Sequence, residues 1–118
     1  MSARDGAIEL LNKWKSEGSL TKVLFFGTKN LRTFTLHGKI SDVGESVRIT
    51  GSDDSLVDFS FALARFSVGR PKGDEPAAAD LFAELRFKEV SVVEIFADCG
   101  YILLFPVLNA ADTSHLVN

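Results

Sequence analysis

The chain has 118 residues, 46% of them hydrophobic and 25% charged, with a formal net charge of −3 and a pI near 5.3. That length and balance predict one globular domain with one core, residues 1–118. The acidic excess argues against a surface built to neutralise many phosphates, while leaving room for a local basic patch.

A single cysteine, Cys99, excludes an intramolecular disulfide and fits a reducing compartment. The N-terminus has no long apolar h-region, and no apolar run reaches the roughly 20 residues needed to span a bilayer. The expected location is therefore cytoplasmic, with no membrane role. Ten phenylalanines stand against one tyrosine and one tryptophan. Phenylalanine brings large area and no polar handle, so most of the ten are expected in a core or an interface.

Residues 3–17 read as a helix. Ser2 and Asp5 have capping-box spacing, and Ala7, Leu10, Leu11 and Trp14 fall on one face. Gly18 is a natural stop, with Lys13 and Lys15 near the end where cations suit the helix dipole. Trp14 is read as the anchor of this helix on a sheet. Leu20 to Gly27 follows as a first strand, apolar on both parities at Val23-Leu24-Phe25-Phe26 and so covered on both faces.

Arg32 to Thr50 is the centre of the pattern. Phe34, Leu36, Gly38 and Ile40 share one parity, and Thr33, Thr35, His37 and Lys39 the other. This is the alternation of a strand with one buried and one wet face. Gly38 on the buried parity predicts a sharp bend or bulge. Asp42-Val43-Gly44-Glu45 is a turn, and Val47 and Ile49 return facing inward with Arg48 and Thr50 outward. Gly51-Ser52-Asp53-Asp54-Ser55 is a second turn. It lacks the spaced oxygen ligands and terminal glutamate of a calcium loop.

Val57, Phe59, Phe61 and Leu63 alternate with polar or small residues. The apolar parity then switches to Phe66 and Val68, marking a bulge, a helical turn or a new strand near Ala64-Arg65. Gly69 to Glu75 is a loop, Pro76 suits a first helical position, and Ala77 to Leu85 reads as a short helix with Ala78, Leu81, Phe82 and Leu85 on one face. Arg86 to Val90 either extends this helix or begins a strand; the strand is favoured, from Phe87 onward, with Val90 to Ala97 β-rich. Asp98-Cys99-Gly100 turns the chain into Tyr101–Val107. Pro106 places this last strand at an edge or near its end, and an apolar edge must be covered or paired with another chain. Tyr101, Leu103 and Phe105 are therefore the expected oligomer interface. Residues 109–118 are read as a frayed tail.

The sequence carries no catalytic motif, no internal repeat and no low-complexity segment. There is no G-x-S-x-G, P-loop, H-E-x-x-H or C-x-x-C. His37 and His115 have no neighbours at metal-ligand spacing, and Cys99 lacks a cationic setting. No catalytic residue, metal, cofactor or small-molecule substrate is expected. Lys29 and Arg32 flank the first hairpin turn, and His37, Lys39 and Arg48 point outward from the central hairpin. With Phe25 or Phe26 exposed beside them, these residues would hold a single RNA strand by charge and stacking. The competing reading is a solvated face balanced by Asp42 and Glu45.

Leu36-His37-Gly38-Lys39-Ile40, followed by Val43 and Val47-Arg48-Ile49, resembles the first motif of the Sm-like family and of its Hfq-like members: apolar, any, glycine, any, apolar, a turn, an apolar return. Upstream, residues 7–26 resemble the family's short helix leading into a first strand. Downstream, Phe59 to Val68 matches its last two short strands. In a second register Val92 to Phe105 does so, with Asp98-Cys99-Gly100-Tyr101 as the turn of the second motif and residues 69–90 as an insertion. The resemblance implies a small barrel and a ring-like oligomer. At the family's RNA-contacting positions this chain has Ser46 for the stacking aromatic and Glu45 for the glutamine before it. Ala62-Leu63 or Asp98-Cys99 replaces the Lys-His pair, depending on register, and Gly44 stands at the usual acidic or amide position.

The sequence thus predicts a mostly-β (α+β) domain: helix 3–17 on a strongly bent, five- to six-stranded antiparallel sheet, a small Sm-like barrel with its core at about 20–68. A second short helix and a C-terminal hairpin occupy about 76–108. The predicted function is a non-catalytic, self-associating binding module with RNA as the first ligand class. The alternative is a protein-interaction or structural module with no nucleic-acid role.

Overall fold

The computed structural model describes residues 2–27, 34–72, 78–98 and 100–107. Lys29, Arg32, Pro76, Cys99, His115 and the tail 109–118 lie outside the described residues.

Helix α1 spans Ala3–Glu17, as its pattern predicts. The Ser2 hydroxyl accepts from the Asp5 N–H at 3.1 Å, satisfying one of the first-turn donors. Gly18 ends the helix at φ 64, and its N–H donates to the Lys15 carbonyl at 3.1 Å. Ala7, Leu11 and Trp14 are buried along one face.

Seven strands follow: β1 (Leu20–Gly27), β2 (Phe34–Val43), β3 (Ser46–Gly51), β4 (Leu56–Ser60), β5 (Arg65–Gly69), β6 (Val92–Ala97) and β7 (Gly100–Pro106), with helix α2 (Ala79–Phe87) between β5 and β6. They form one antiparallel sheet in the order β4-β3-β2-β1-β7-β6-β5. Among the described residues the architecture is mostly β with two helices, and the sheet has seven strands where the sequence predicts five or six.

The two edges of this sheet, β4 and β5, are consecutive in sequence and joined only by residues 61–64. A flat sheet of seven strands would hold its edges about 29 Å apart. Five residue steps reach at most about 18 Å. The sheet therefore curls, yet β4 and β5 form no ladder with each other, so it stays open. The parity switch near Ala64-Arg65 is this corner. Phe61 is buried there and its N–H donates to the Glu45 carbonyl at 2.9 Å. Leu63, expected on the inward parity, instead points to solvent at 89% exposure with φ 58.

Gly38 sits opposite Gly51 in the β2–β3 register, and a bulge follows between Ile40 and Asp42. The bend that Gly38 predicts is thus shared between a close backbone approach and a bulge at Ser41, whose hydroxyl donates to the Arg48 carbonyl at 3.2 Å.

Strand parity divides the core in two. Val23, Phe25, Ile40, Val47, Ile49, Phe59, Val93, Ile95, Ile102 and Leu104 pack with Ala7, Leu11 and Trp14 of α1. Leu24, Phe26, Val92, Tyr101, Leu103 and Phe105 pack with Phe82 and Leu85 of α2. β1 is central and covered on both faces, which is why both of its parities are apolar.

Three expectations are corrected here. β7 is interior, hydrogen-bonded to β1 and β6, so of the two readings of Pro106 the edge is overturned and the strand end holds: Pro106 is the last residue of β7, opposite Thr21. Tyr101, Leu103 and Phe105 are consequently buried under α2 rather than offered to a second chain. Finally, Arg86 and Phe87 continue α2 instead of starting a strand. Phe87 is 88% exposed, and Lys88 closes the helix by donating to the Glu84 carbonyl at 2.9 Å.

Candidate binding edge and open face

α2 covers only the β1, β7 and β6 side of its face. On β2, β3 and β4 the same face is open. Thr35, His37 and Lys39 project from β2, Arg48 from β3, and Leu56, Asp58 and Ser60 from β4, all exposed. The register sets His37 beside Lys22 of β1, Lys39 beside Thr50, and Arg48 between Asp42 and Asp58. The predicted basic residues His37, Lys39 and Arg48 are thus brought to one face.

The charge on that face is mixed. Arg48 Nη2 lies 3.7 Å from Asp58 Oδ2, an exposed pair of small energetic value that still offsets the guanidinium charge. Lys22, a lone charge within the apolar strand β1, marks the border with α2. There Glu84 is held below the ordinary carboxylate value first by its hydrogen bond to Lys88, at 2.7 Å, and more weakly by the charge of Lys22. Lys22 was detectable as the one charged residue in β1.

Phe25 does not join this face. Its ring packs on the α1 side against Phe34 and Phe59, with centroids 5.2 and 6.1 Å away. Phe26 packs against Tyr101 on the α2 side. The stacking expected of Phe25 or Phe26 therefore has no exposed ring to perform it.

The edge strand β4 offers a different kind of chemistry. The Gly51 N–H donates to the Ser55 carbonyl at 2.7 Å, and the Phe61 N–H to the Glu45 carbonyl at 2.9 Å. Together with the unbroken register Ser46↔Ser60 to Thr50↔Leu56, these bonds fix which residues form the hydrogen-bonded pairs. Val57 and Phe59 aim their backbone groups at β3. Leu56, Asp58 and Ser60 aim theirs away from the sheet, where no further strand lies among the described residues. Charged side chains, proline, bulges and very short strands are the usual devices that blunt an edge. β4 has no proline and no bulge, its one charge, Asp58, is paired with Arg48, and Leu56 is 61% exposed.

One buried carboxylate is a separate feature. Glu94 on β6 is 0% exposed and accepts the Tyr101 hydroxyl and the Lys72 N–H, the latter at 2.8 and 3.0 Å to its two oxygens. Arg86 reaches the neighbouring Pro71 carbonyl at 3.3 Å. These bonds fasten the chain after β5 to the α2 side of the sheet, a structural task. The sequence gives no sign of it, because Glu94 reads there as one acid among several.

Among the described residues no group of three or more His, Cys, Asp or Glu is placed to hold a metal ion. No described helix is long and apolar enough to cross a membrane. Comparison with protein-family models, curated proteins and solved structures finds no match to this chain.

Proposed function

We propose that this protein is a non-catalytic, self-associating binding module of the cytoplasm, a curled sheet of the small Sm-like barrel type. The observation that carries the proposal is the β4 edge: three alternate residues, Leu56, Asp58 and Ser60, with outward-facing backbone donors and acceptors, no proline, no bulge, and one charge, Asp58, already paired with Arg48. Extended backbone is the ligand such an edge takes, by strand addition. The Sm-like kinship is supported by the order helix, strand, glycine-bent strand and return. β4 and β5 fall where the first register of the resemblance needs strands, and β6 and β7 where the second does.

RNA is the ligand class assigned to the open face, held by Lys22, His37, Lys39 and Arg48 through phosphates without base stacking. The protein-interaction reading is favoured by two observations, the Arg48–Asp58 pair on that face and the burial of Phe25 on the opposite, α1 side.

Light scattering over a concentration series, with and without a short uridine-rich RNA, tests the proposal. Oligomers that bind RNA with steep salt dependence, lost in Lys39→Glu plus Arg48→Glu, support both parts. Oligomers indifferent to RNA leave the protein-interaction module. A monomer indifferent to RNA overturns the proposal.

A further inference from the structure

We propose that β4 pairs antiparallel with β4 of a second copy, about a two-fold axis at Asp58. This inference rests on the self-association reading and adds the partner strand and its register.

The register follows from the backbone. In antiparallel pairing, outward-aimed residues must face one another to exchange both hydrogen bonds. With Asp58 opposite Asp58 of the second copy, Leu56 meets Ser60 at one end and Ser60 meets Leu56 at the other. All three outward residues of each strand are then satisfied. Sliding the strands by two residues leaves one outward residue of each strand without a partner. The centred register is the antiparallel one that uses the whole edge, and it makes the contact isologous and closed.

The side chains on the α1 face agree. There Val57 stands opposite Phe59 of the second copy, twice, as non-hydrogen-bonded pairs with close side chains. A β-branched residue against an aromatic one is a favourable cross-strand pair. On the open face the exposed Leu56 gains cover from Ser60 and its neighbours.

The same register sets two like charges side by side, Asp58 against Asp58. Each is flanked by its own Arg48 at 3.7 Å, so the row across the interface alternates Arg, Asp, Asp, Arg. This arrangement limits affinity and supplies the signature of the pairing. Removing the carboxylate charge should tighten the dimer, an effect not expected if β4 pairs with β5 or with a foreign strand.

Analytical ultracentrifugation of the full chain over a concentration series provides the test. The expected result is a monomer–dimer equilibrium that Asp58→Asn tightens about two- to fivefold and that Asp58→Pro abolishes. The Asp58 N–H points away from β3, so proline there removes no ladder bond within the chain. Leu56→Pro, at the first residue of the strand, is the second edge-blocking variant. Circular dichroism identifies which of the two keeps its fold. A dimer that survives the folded proline variant, or weakens in Asp58→Asn, overturns the β4–β4 pairing while leaving self-association intact. Growth beyond dimers does the same. A monomer at every concentration overturns both.

Discussion

Gly38 and Gly51 face each other across β2 and β3, and at Gly38 the opposite backbone leaves no room for a β-carbon, whereas at Gly51 the nearest atoms to a β-carbon belong to the side chains of Ser55, Leu36 and Asp53. A Cβ on Gly38 would press into the Thr50 carbonyl and lie 2.9 Å from the Gly51 Cα. The obstacles are backbone atoms, so β2 or β3 would have to shift. We expect Gly38→Ala to destabilise the fold by about 1–3 kcal/mol, the usual scale of overpacking. Urea unfolding checks this, and an unchanged midpoint would show that the close approach is not needed for the bend.

The Glu94 carboxylate depends on donors that follow it into the core. Tyr101→Phe leaves the ring in place and removes one of them. The expected loss is about 1–3 kcal/mol, the desolvation cost of a buried acceptor deprived of a partner. Thermal unfolding of the single variant against Glu94→Gln/Tyr101→Phe separates this bond from general packing, since the neutral amide should suffer less from the missing hydroxyl.

Two large side chains on the helices should behave oppositely. Trp14 is 4% exposed in the α1 core, and Trp14→Ala should cost about 3–5 kcal/mol. Phe87 at the end of α2 projects into solvent, so Phe87→Ser should leave stability within about 0.5 kcal/mol of the parent. Equal losses in chemical denaturation would place Phe87 in a packed environment and contradict the helix end described above.

Acid should weaken two local contacts. Glu84 lies below its ordinary value of 4.5 chiefly through the Lys88 hydrogen bond, and Asp53 below 3.8 through the Ser55 hydroxyl and N–H. A carboxylate with a lowered folded pKa stabilises the fold above its unfolded value, and the effect is lost as pH falls through the folded one. Lys88→Met should therefore be slightly less stable than the parent at neutral pH and match it once Glu84 is protonated, well below 4.5. A stability difference that grows on acidification would reverse the sign of this assignment.

The elements legible in the sequence are those whose causes are local. Ser2, Gly18 and the Ala7-Leu11-Trp14 face define α1 without reference to anything distant. The alternation around Gly38 likewise marks β2 and β3, although Asp42 and Val43, read as turn residues, pair with Arg48 and Val47 as the last two residues of β2. The errors come from long-range pairing. Pro106 fits an edge or a strand end equally, because the β1–β7 register that decides between them, which joins Thr21 to Pro106, is not visible in the sequence. Burial of Phe25 has the same origin: two apolar parities in β1 show that both faces are covered but not by what. Arg86-Phe87 was ambiguous because an exposed phenylalanine at a helix end carries the same composition as a strand start.

The basic face was legible in part. His37, Lys39 and Arg48 follow from parity alone, whereas Lys22 and Asp58 reach them only through pairing with β2 and β3. The outward-aimed row on β4 needs both the pairing and the positions of individual hydrogen bonds, and composition carries neither.

The most direct test of self-association through β4 is amide hydrogen exchange at Leu56, Asp58 and Ser60 as a function of protein concentration. Their N–H groups point away from β3, whereas those of Val57 and Phe59 point toward it. If β4 pairs with a second copy, the three outward amides exchange fast in dilute solution and become protected as concentration rises, while Val57 and Phe59 stay protected throughout. Fast exchange of the outward amides at every concentration, in a sample whose mass nevertheless shows oligomers, would place the contact elsewhere and rule out pairing through β4.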